Sequence, residues 1–238
     1  MGTTKLEQKK PIGYTFSSLT EKNFSRVANL TIAKDVGDCL WDQSDGEVLS
    51  DDDAFIVHYL SSRMATERMS MMNEATLWAR VHYQLLTLAE TDEIKAWSEV
   101  SMEASFPSTS PDFTLSGEAD GVLGWSTSGF LNTPYLVVVE AKRGLEAKDP
   151  RYQLYGQLIA TAKLNSQRNN DEQHEYVLYG CYTVAENWTF VRAMISALET
   201  NHPSIDVILS REYSSRFETE LIPKILKRIV REATTNTT

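Results

Sequence analysis

Two charged residues, Glu140 and Lys142, end the apolar run LVVV at residues 136–139. Successive side chains of a β-strand point to opposite faces, so two residues that are two positions apart share a face. Charges at the end of a buried strand cost free energy unless a partner, a metal or a substrate offsets the cost. The pattern therefore indicates that Glu140 and Lys142 act together in a site.

A second carboxylate, Asp120, is predicted to face Glu140 across a hairpin. If the hairpin loop is centred near Phe130, equal offsets place the two acids opposite each other, with Cβ atoms about 4.5–5.5 Å apart. Two such carboxylates repel unless a cation lies between them, and Mg²⁺ prefers oxygen ligands with positions left for water and phosphate. Lys142 would then orient or activate the attacking water and neutralise charge on a phosphodiester.

The same residues also have simpler interpretations. Glu140 and Lys142 could form an ordinary ion pair where a strand emerges into solvent, which would contribute little stability. Asp120 could be an exposed turn residue. The sequence offers no rival chemistry, because it contains neither a phosphate-binding glycine motif nor a nucleophile elbow. The scattered histidines also lack metal-ligand spacing: His58, His82, His174 and His202.

Hydrophobic periodicity predicts the elements that must position these residues. Apolar residues at helical spacing within residues 73–90 indicate a long helix. A period of two indicates three strands that form a meander, at residues 94–106, 113–125 and 135–142. Asp149 and Pro150 have the residue types of an N-cap and a first helical position, and more strands and a last helix follow. We expect an α/β (α+β) fold with a central mixed β-sheet flanked by helices.

The stretches GEADGVLG at residues 117–124 and VVVEAKRG at residues 137–144 precede a helix that carries glutamines. This arrangement resembles the PD-(D/E)XK nuclease superfamily, the fold of many restriction enzymes. The resemblance covers about residues 73–182 and implies a restriction-endonuclease-like core in αβββαβ order. It also implies that Asp120, Glu140 and Lys142 fill the metal and catalytic roles.

Further site residues are implied by the same resemblance. Members of the superfamily often add a glutamate from the first core helix, and Glu74 matches it best, with Glu67 as a substitute. The implied metal ligands are therefore Glu74, Asp120 and Glu140. Related families place a Gln-x-x-x-Tyr or similar pair on the following helix, where Gln153 and Gln157 lie four apart on one face. Gln157 is expected among the catalytic residues and Gln153 at the nucleic acid.

The sequence departs from the superfamily pattern in two places. Ala119 stands beside Asp120 where the motif has proline. A literal Pro-Asp occurs at Pro111 and Asp112, but the same hairpin arithmetic would set Asp112 opposite residue 148, beyond the strand. The second glutamine replaces the expected tyrosine, which leaves the subfamily open.

The charge distribution has both an overall and a local aspect. A net charge of −10 argues against a general nucleic-acid coat protein. Residues 142–168, however, contain six basic residues against the two acids Glu146 and Asp149. These bases are Lys142, Arg143, Lys148, Arg151, Lys163 and Arg168, of which Arg143, Lys148 and Arg151 are the predicted nucleic-acid contacts besides Gln153. A second basic group on the last helix is interpreted as a solvated helix face: Lys224, Lys227, Arg228 and Arg231.

The 238 residues are expected to form a single domain at residues 14–233, between flexible tails at residues 1–13 and 234–238. The chain has no apolar stretch of the ~20 residues that a membrane span requires and no secretion signal at its start. Its two cysteines cannot form a disulfide framework. We therefore expect a cytoplasmic protein in a reducing compartment, without a membrane partner.

Together these patterns predict a Mg²⁺-dependent nuclease, with Mn²⁺ able to substitute, that hydrolyses DNA by metal-activated water. A homodimer or a partner subunit is a geometric expectation for cutting both strands. The alternative is a catalytically inactive nuclease-fold module that binds nucleic acid or serves in an assembly.

Overall fold

The computed structural model describes residues 12–33, 40–107, 112–144, 149–169 and 175–235. Eight strands form one mixed sheet. They are β1 (Ile12–Thr15), β2 (Asn29–Ile32), β3 (Ile94–Phe106), β4 (Phe113–Thr127), β5 (Phe130–Lys142), β6 (Glu175–Val184), β7 (Asn187–Ser196) and β8 (Ser204–Ser214). The helices are α1 (Glu21–Phe24), α2 (Asp51–Thr66), α3 (Glu74–Leu77), α4 (Tyr83–Thr87), α5 (Arg151–Asn169) and α6 (Leu221–Thr235), with a π-helical turn at Trp78–His82 between α3 and α4.

The strand order is β1-β4-β5-β6-β7-β8-β2, and β3 pairs with the other side of β4. The pairs β3–β4 and β4–β5 are antiparallel, so these three strands form the predicted meander. β5 pairs with β6 in parallel, and α5 makes the crossover between them. The expected mixed α/β fold with a central mixed sheet is therefore confirmed.

β5 lies at the centre of the sheet because its apolar residues are buried on both faces. Val138 belongs to a hydrophobic core that includes the apolar face of α5, whereas Val137 and Val139 belong to a second core that includes α6. The start of α5 agrees with the sequence prediction, since Asp149 Oδ1 accepts a hydrogen bond from the backbone N–H of Arg151 at 3.0 Å. This capping places the first turn of α5 near the end of β5.

The helix predicted over residues 73–90 is interrupted and shorter than expected. Asn73 caps it, because its side chain accepts a hydrogen bond from Thr76 N at 2.8 Å. The backbone then widens into the π-helical turn and returns to α-helical geometry in α4, which ends at Thr87. π-Helical turns often occur at functional sites, and this one directs Trp78 toward β4.

The β4–β5 hairpin turns at Ser128 and Gly129, both with positive φ. The centre of the turn therefore lies one to two residues before Phe130, where the sequence analysis had centred the loop. Thr127 pairs with Phe130 next to this turn, whereas Gly121 pairs with Val139. Two irregularities near Gly124 thus place three more residues on β5 than on β4. These bulges compensate for the misplaced turn, so the predicted register of Asp120 with Glu140 continues the observed pairing.

None of the helices in the described part of the chain is long and apolar enough to span a membrane.

Candidate active site

The site begins where β4 changes its pairing partner. β3 covers one side of β4, while the other side pairs with β1 up to Ser116 and with β5 from Gly121 onward. Asp120 lies at the edge of the gap between these two pairings. Its Oδ2 accepts a hydrogen bond from the backbone N–H of Ala141 at 2.6 Å. The Asp120 carboxylate therefore replaces a ladder hydrogen bond and is held against β5.

Glu140 is wholly buried and lies between two side chains. Its Oε2 accepts a hydrogen bond from Gln157 Nε2 at 2.7 Å, and Lys142 Nζ lies 2.5 Å from its Oε1. The same Gln157 nitrogen also lies 3.2 Å from the carbonyl oxygen of Glu118, within the gap of β4. α5 thus fixes Glu140 through Gln157, the α5 residue that the sequence analysis expected in the site.

Glu74 reaches this site from the first turn of α3. Its Oε1 lies 3.5 Å from Lys142 Nζ. Lys142 is largely buried, with a side-chain exposure of 17%, whereas the Glu74 side chain is 42% exposed. Lys142 therefore interacts with one wholly buried acid and one acid near solvent.

Charges of the site are unevenly balanced. Burial and the nearby charge of Asp120 raise the pKa of Glu140 to about 7, against an ordinary value of 4.5. Burial also raises the pKa of Asp120. Burial alone would lower the pKa of Lys142, but the attraction of Glu140, Asp120 and Glu74 outweighs it and raises that pKa. One ammonium group thus serves a wholly buried and a half-buried carboxylate, and the pair remains short of positive charge.

Close packing positions the helix that carries Glu74. A Cβ atom on Gly121 would lie 2.5 Å from Cη2 of Trp78, so only glycine lets the π-helical turn approach β4 this closely. The Trp78 indole N–H donates to Ser98 Oγ at 3.1 Å. Both contacts lie directly beside Asp120 in the sheet. The meander therefore fixes α3 against the strand that carries the first acid.

The sequence interpretation missed Glu99 of β3. It lies between the pairs Ser98–Gly121 and Val100–Ala119, so its register places it across from Asp120. Glu99 has a φ of 54°, which is uncommon for a residue with a side chain. Its charge contributes to the raised pKa of Asp120. The sequence contained one signal for Glu99: Ser98 and Glu99 are consecutive polar residues, so they break the alternation of apolar and polar residues along the strand.

The predicted nucleic-acid contacts are less concentrated. Arg143 directly follows β5 and is exposed, and Gln153 is half-buried on α5. Arg151 forms a close ion pair with Asp149, whose Oδ2 lies 2.6 Å from its Nη2, and this pair raises the pKa of Arg151. Lys148 lies outside the described residues. The assignment of these residues to nucleic-acid contacts stays a prediction.

Other basic and acidic candidates have structural partners. Lys163 is buried, and its Nζ lies 2.7 Å from Glu199 Oε1. Glu67, the substitute for Glu74, pairs with Arg63 and Arg80 at 3.0 and 3.1 Å. Asp112, the literal Pro-Asp candidate, directly precedes β4 and lies eight residues before Asp120. The structure thus brings Asp120, Glu140, Lys142 and Gln157 together, and Glu74 contacts this group through Lys142.

The donor set fits a hydrated divalent cation with two protein carboxylates. Across the described ranges, no group of three or more His, Cys, Asp or Glu residues could hold a metal ion, so Glu74 does not complete a three-carboxylate group. Mg²⁺ is commonly bound by one or two carboxylates and completes its shell with water and phosphate oxygens. Glu140 Oε1 accepts no well-formed hydrogen bond from the described residues, although Lys142 is close. Asp120 and Glu140 therefore offer the number and type of ligands that Mg²⁺ needs.

A scan against protein-family models finds no matching family, and a search of curated proteins finds no significant relative.

Proposed function

We propose that this protein is a Mg²⁺-dependent nuclease that hydrolyses phosphodiester bonds of DNA. The observation that carries the proposal is the pair of acids, the wholly buried Glu140 and the half-buried Asp120, which shares the ammonium group of Lys142. Such an arrangement costs stability without a cation, because burial disfavours unbalanced charge. The series α3–α4, β3–β4–β5, α5 and β6 supports a restriction-endonuclease-like core in αβββαβ order.

Each residue has a role that follows from its contacts. Asp120 and Glu140 would hold the Mg²⁺, for which Mn²⁺ can substitute. Gln157 donates a hydrogen bond to Glu140 Oε2, so the other oxygen, Oε1, is the one beside Lys142. The Lys142 ammonium would orient the attacking water and neutralise charge that develops on the phosphate. A metal ion held by the two acids would supply a lowered pKa of bound water and polarisation of the phosphodiester.

A non-catalytic module that binds nucleic acid or assembles with a partner is the second candidate. Its assembly role is favoured by the pairing of Arg151 with Asp149 and of Lys163 with Glu199, because this pairing leaves less positive charge to bind phosphates. The net charge of −10 has the same consequence. A homodimer or a partner subunit could supply the missing DNA affinity.

A cleavage assay separates the two candidates. Purified protein is incubated with supercoiled, linear and single-stranded DNA in the presence of Mg²⁺, Mn²⁺ or EDTA. The nuclease proposal expects nicking or linearisation with either metal and none with EDTA. Binding of DNA without cleavage under every metal condition would favour the module.

The metal site has its own test in calorimetric titration of Mn²⁺ into wild type and Asp120→Asn. Asparagine keeps an oxygen that can accept the Ala141 hydrogen bond but removes the charge. We expect Mn²⁺ affinity to fall about tenfold or more, because one of two anionic ligands is lost. Equal affinity in the two proteins would exclude Asp120 from the metal site.

A further inference from the structure

Lys142 and a metal ion at this site would compete for the same oxygen. Glu140 has two carboxylate oxygens, and Gln157 Nε2 occupies Oε2 at 2.7 Å. Lys142 Nζ lies 2.5 Å from the other oxygen, Oε1. Oε1 is therefore the oxygen that Lys142 must yield to a cation.

Repulsion makes joint occupation of this oxygen unfavourable. Two unit positive charges about 4 Å apart repel by roughly 4 kcal/mol at the effective dielectric constant typical of protein surfaces, and a divalent ion repels more. The ammonium must therefore move away from Glu140 or give up its proton. Glu74 provides a second anionic partner, since its Oε1 already lies 3.5 Å from Lys142 Nζ.

Glu74 is well placed to follow the ammonium. It lies in the first turn of α3, next to the capping residue Asn73, and the packing of Trp78 on Gly121 fixes this helix independently of Lys142. The Glu74 side chain is 42% exposed, so it has room to change its rotamer. The described residues do not bring Glu74 into a group of three acids that could hold a metal.

We propose that Glu74 is a positioning residue that receives Lys142 from Glu140 when the metal site fills, and that it is not a third metal ligand. The inference rests on the proposed function and assigns Glu74 a role different from the one that the superfamily resemblance implies. Glu74 then acts mainly through Lys142, beside the direct effect on Asp120 that its charge shares with that of Glu99. By taking up the ammonium, it favours metal binding and holds Lys142 beside the attacking water.

A double-mutant cycle on Mn²⁺ affinity tests this dependence without relying on activity. Calorimetry is carried out on wild type, Glu74→Gln, Lys142→Met and the double variant. In the wild-type background, Glu74→Gln leaves Lys142 on Glu140 and should weaken Mn²⁺ binding by about threefold to tenfold, the scale of coupling between neighbouring charges. In the Lys142→Met background, the same change should alter Mn²⁺ affinity by less than about twofold, because the ammonium that it receives is absent.

Glu99→Gln is the matched control. It also removes one negative charge near Asp120, but its effect on the cation is a direct electrostatic one. Its effect on Mn²⁺ affinity should therefore be the same with and without Lys142. Thermal unfolding checks that every variant is folded, and Lys142→Gln replaces Lys142→Met as the neutral background if the methionine variant does not fold.

Three outcomes would overturn the inference, and they are distinguishable. If Glu74→Gln weakens Mn²⁺ binding equally in both backgrounds, Glu74 is a metal ligand and the proposed nuclease function stands. If Glu74→Gln has no effect in either background, Glu74 has no part in the site, and the function again stands. If wild type binds no Mn²⁺, the metal-dependent function fails and the inference fails with it.

Discussion

Two lysine–glutamate pairs of this protein have the same length and different surroundings. Lys142 Nζ lies 2.5 Å from Glu140 Oε1 in the sheet, and Lys224 Nζ lies 2.5 Å from Glu220 Oε1 at the start of α6. The lysine side chains are similarly buried, with exposures of 17% and 21%. The acids differ, because Glu140 is 0% exposed and Glu220 is 60% exposed. Distance alone therefore does not distinguish a functional pair from a surface pair.

The difference lies in the charges that surround each pair. Glu140 has the half-buried acid Asp120 beside it, and burial together with this neighbour raises the pKa of Glu140 to about 7. On α6, each basic residue predicted to form a solvated face has an acidic partner of its own. The pairs are Lys224–Glu220, Lys227–Asp53, Arg228–Glu232 and Arg231–Glu47. The α6 surface is balanced without a ligand, whereas the proposed site on β5 would gain from a cation.

The largest expected difference between the two pairs is catalytic. Lys142→Met keeps much of the apolar stem and removes the charge, so DNA cleavage should fall on the order of 10²-fold or more, as is typical when one electrostatic stabiliser is lost. DNA affinity should fall much less, because several phosphate contacts carry it. Cleavage and binding of the same duplex are measured for wild type and variant.

Lys142→Arg provides the control for folding and charge in this experiment. The methionine variant leaves Glu140 without its nearest cation, so some loss of stability is expected, and thermal unfolding identifies the temperature range in which it is folded. The arginine variant keeps the positive charge beside Glu140. Unchanged cleavage by folded Lys142→Met would exclude the proposed role of Lys142.

The register of the site was predictable from sequence only in part. A period of two shows which residues of β5 share a face, and this was sufficient to group Glu140 with Lys142. It does not show where a strand contains extra residues. The three-residue excess on β5 near Gly124 happened to offset the misplaced turn, and the gap between β1 and β5 that exposes Asp120 is set by tertiary pairing.

Charge pairing was predictable only where the partners are close in sequence. The Arg151–Asp149 contact spans two residues and could have been anticipated when the basic segment was counted. The Lys163–Glu199 pair joins α5 to a turn 36 residues later, which no local pattern reveals. Counting bases along a segment therefore overestimates the positive charge that is available to a nucleic acid.

The second prediction compares metal-free stability as a function of pH. The pKa of Glu140 is near 7 in the folded protein and 4.5 in the unfolded chain, so between these pH values the folded protein binds more protons than the unfolded chain. The contribution of Glu140 protonation to the stability of the fold is fully present below pH 4.5 and is lost as pH rises through 7. Glu140→Gln removes it, so the variant should be more stable than wild type above pH 7 by about 3 kcal/mol, the free energy that corresponds to a pKa raised from 4.5 to about 7.

His82 provides an opposing contribution that sharpens this test. It is wholly buried, with Nε2 3.3 Å from Thr183 Oγ1, and burial lowers its pKa to about 3 from 6.5. Unfolding then takes up a proton, so stability rises with pH between about 3 and 6.5. Between pH 4.5 and 6.5 the two groups oppose each other in wild type, and in Glu140→Gln the rise due to His82 is no longer opposed by Glu140.

Urea unfolding of both proteins in EDTA, from pH 4 to 9, measures the difference curve. The variant should gain stability relative to wild type as pH rises from 4.5 to above 7. A difference that does not change with pH would show that Glu140 titrates normally, and the contrast between the two lysine pairs would then lose its electrostatic basis.

The smallest expected effect belongs to the α6 pair. Lys224→Met makes the same substitution in a lysine of similar burial with an equally short contact, but its partner Glu220 is largely exposed. Exposed pairs typically contribute ~0–1 kcal/mol, and methionine is nearly as good a helix former as lysine. The unfolding free energy should therefore change by less than about 1 kcal/mol, and Mn²⁺ affinity and DNA cleavage should equal those of wild type.

The same urea unfolding, calorimetric and cleavage measurements apply. If Lys224→Met reduced cleavage as strongly as Lys142→Met, the burial of the acid would not be what separates the two pairs, and the assignment of the site to β5 would fail.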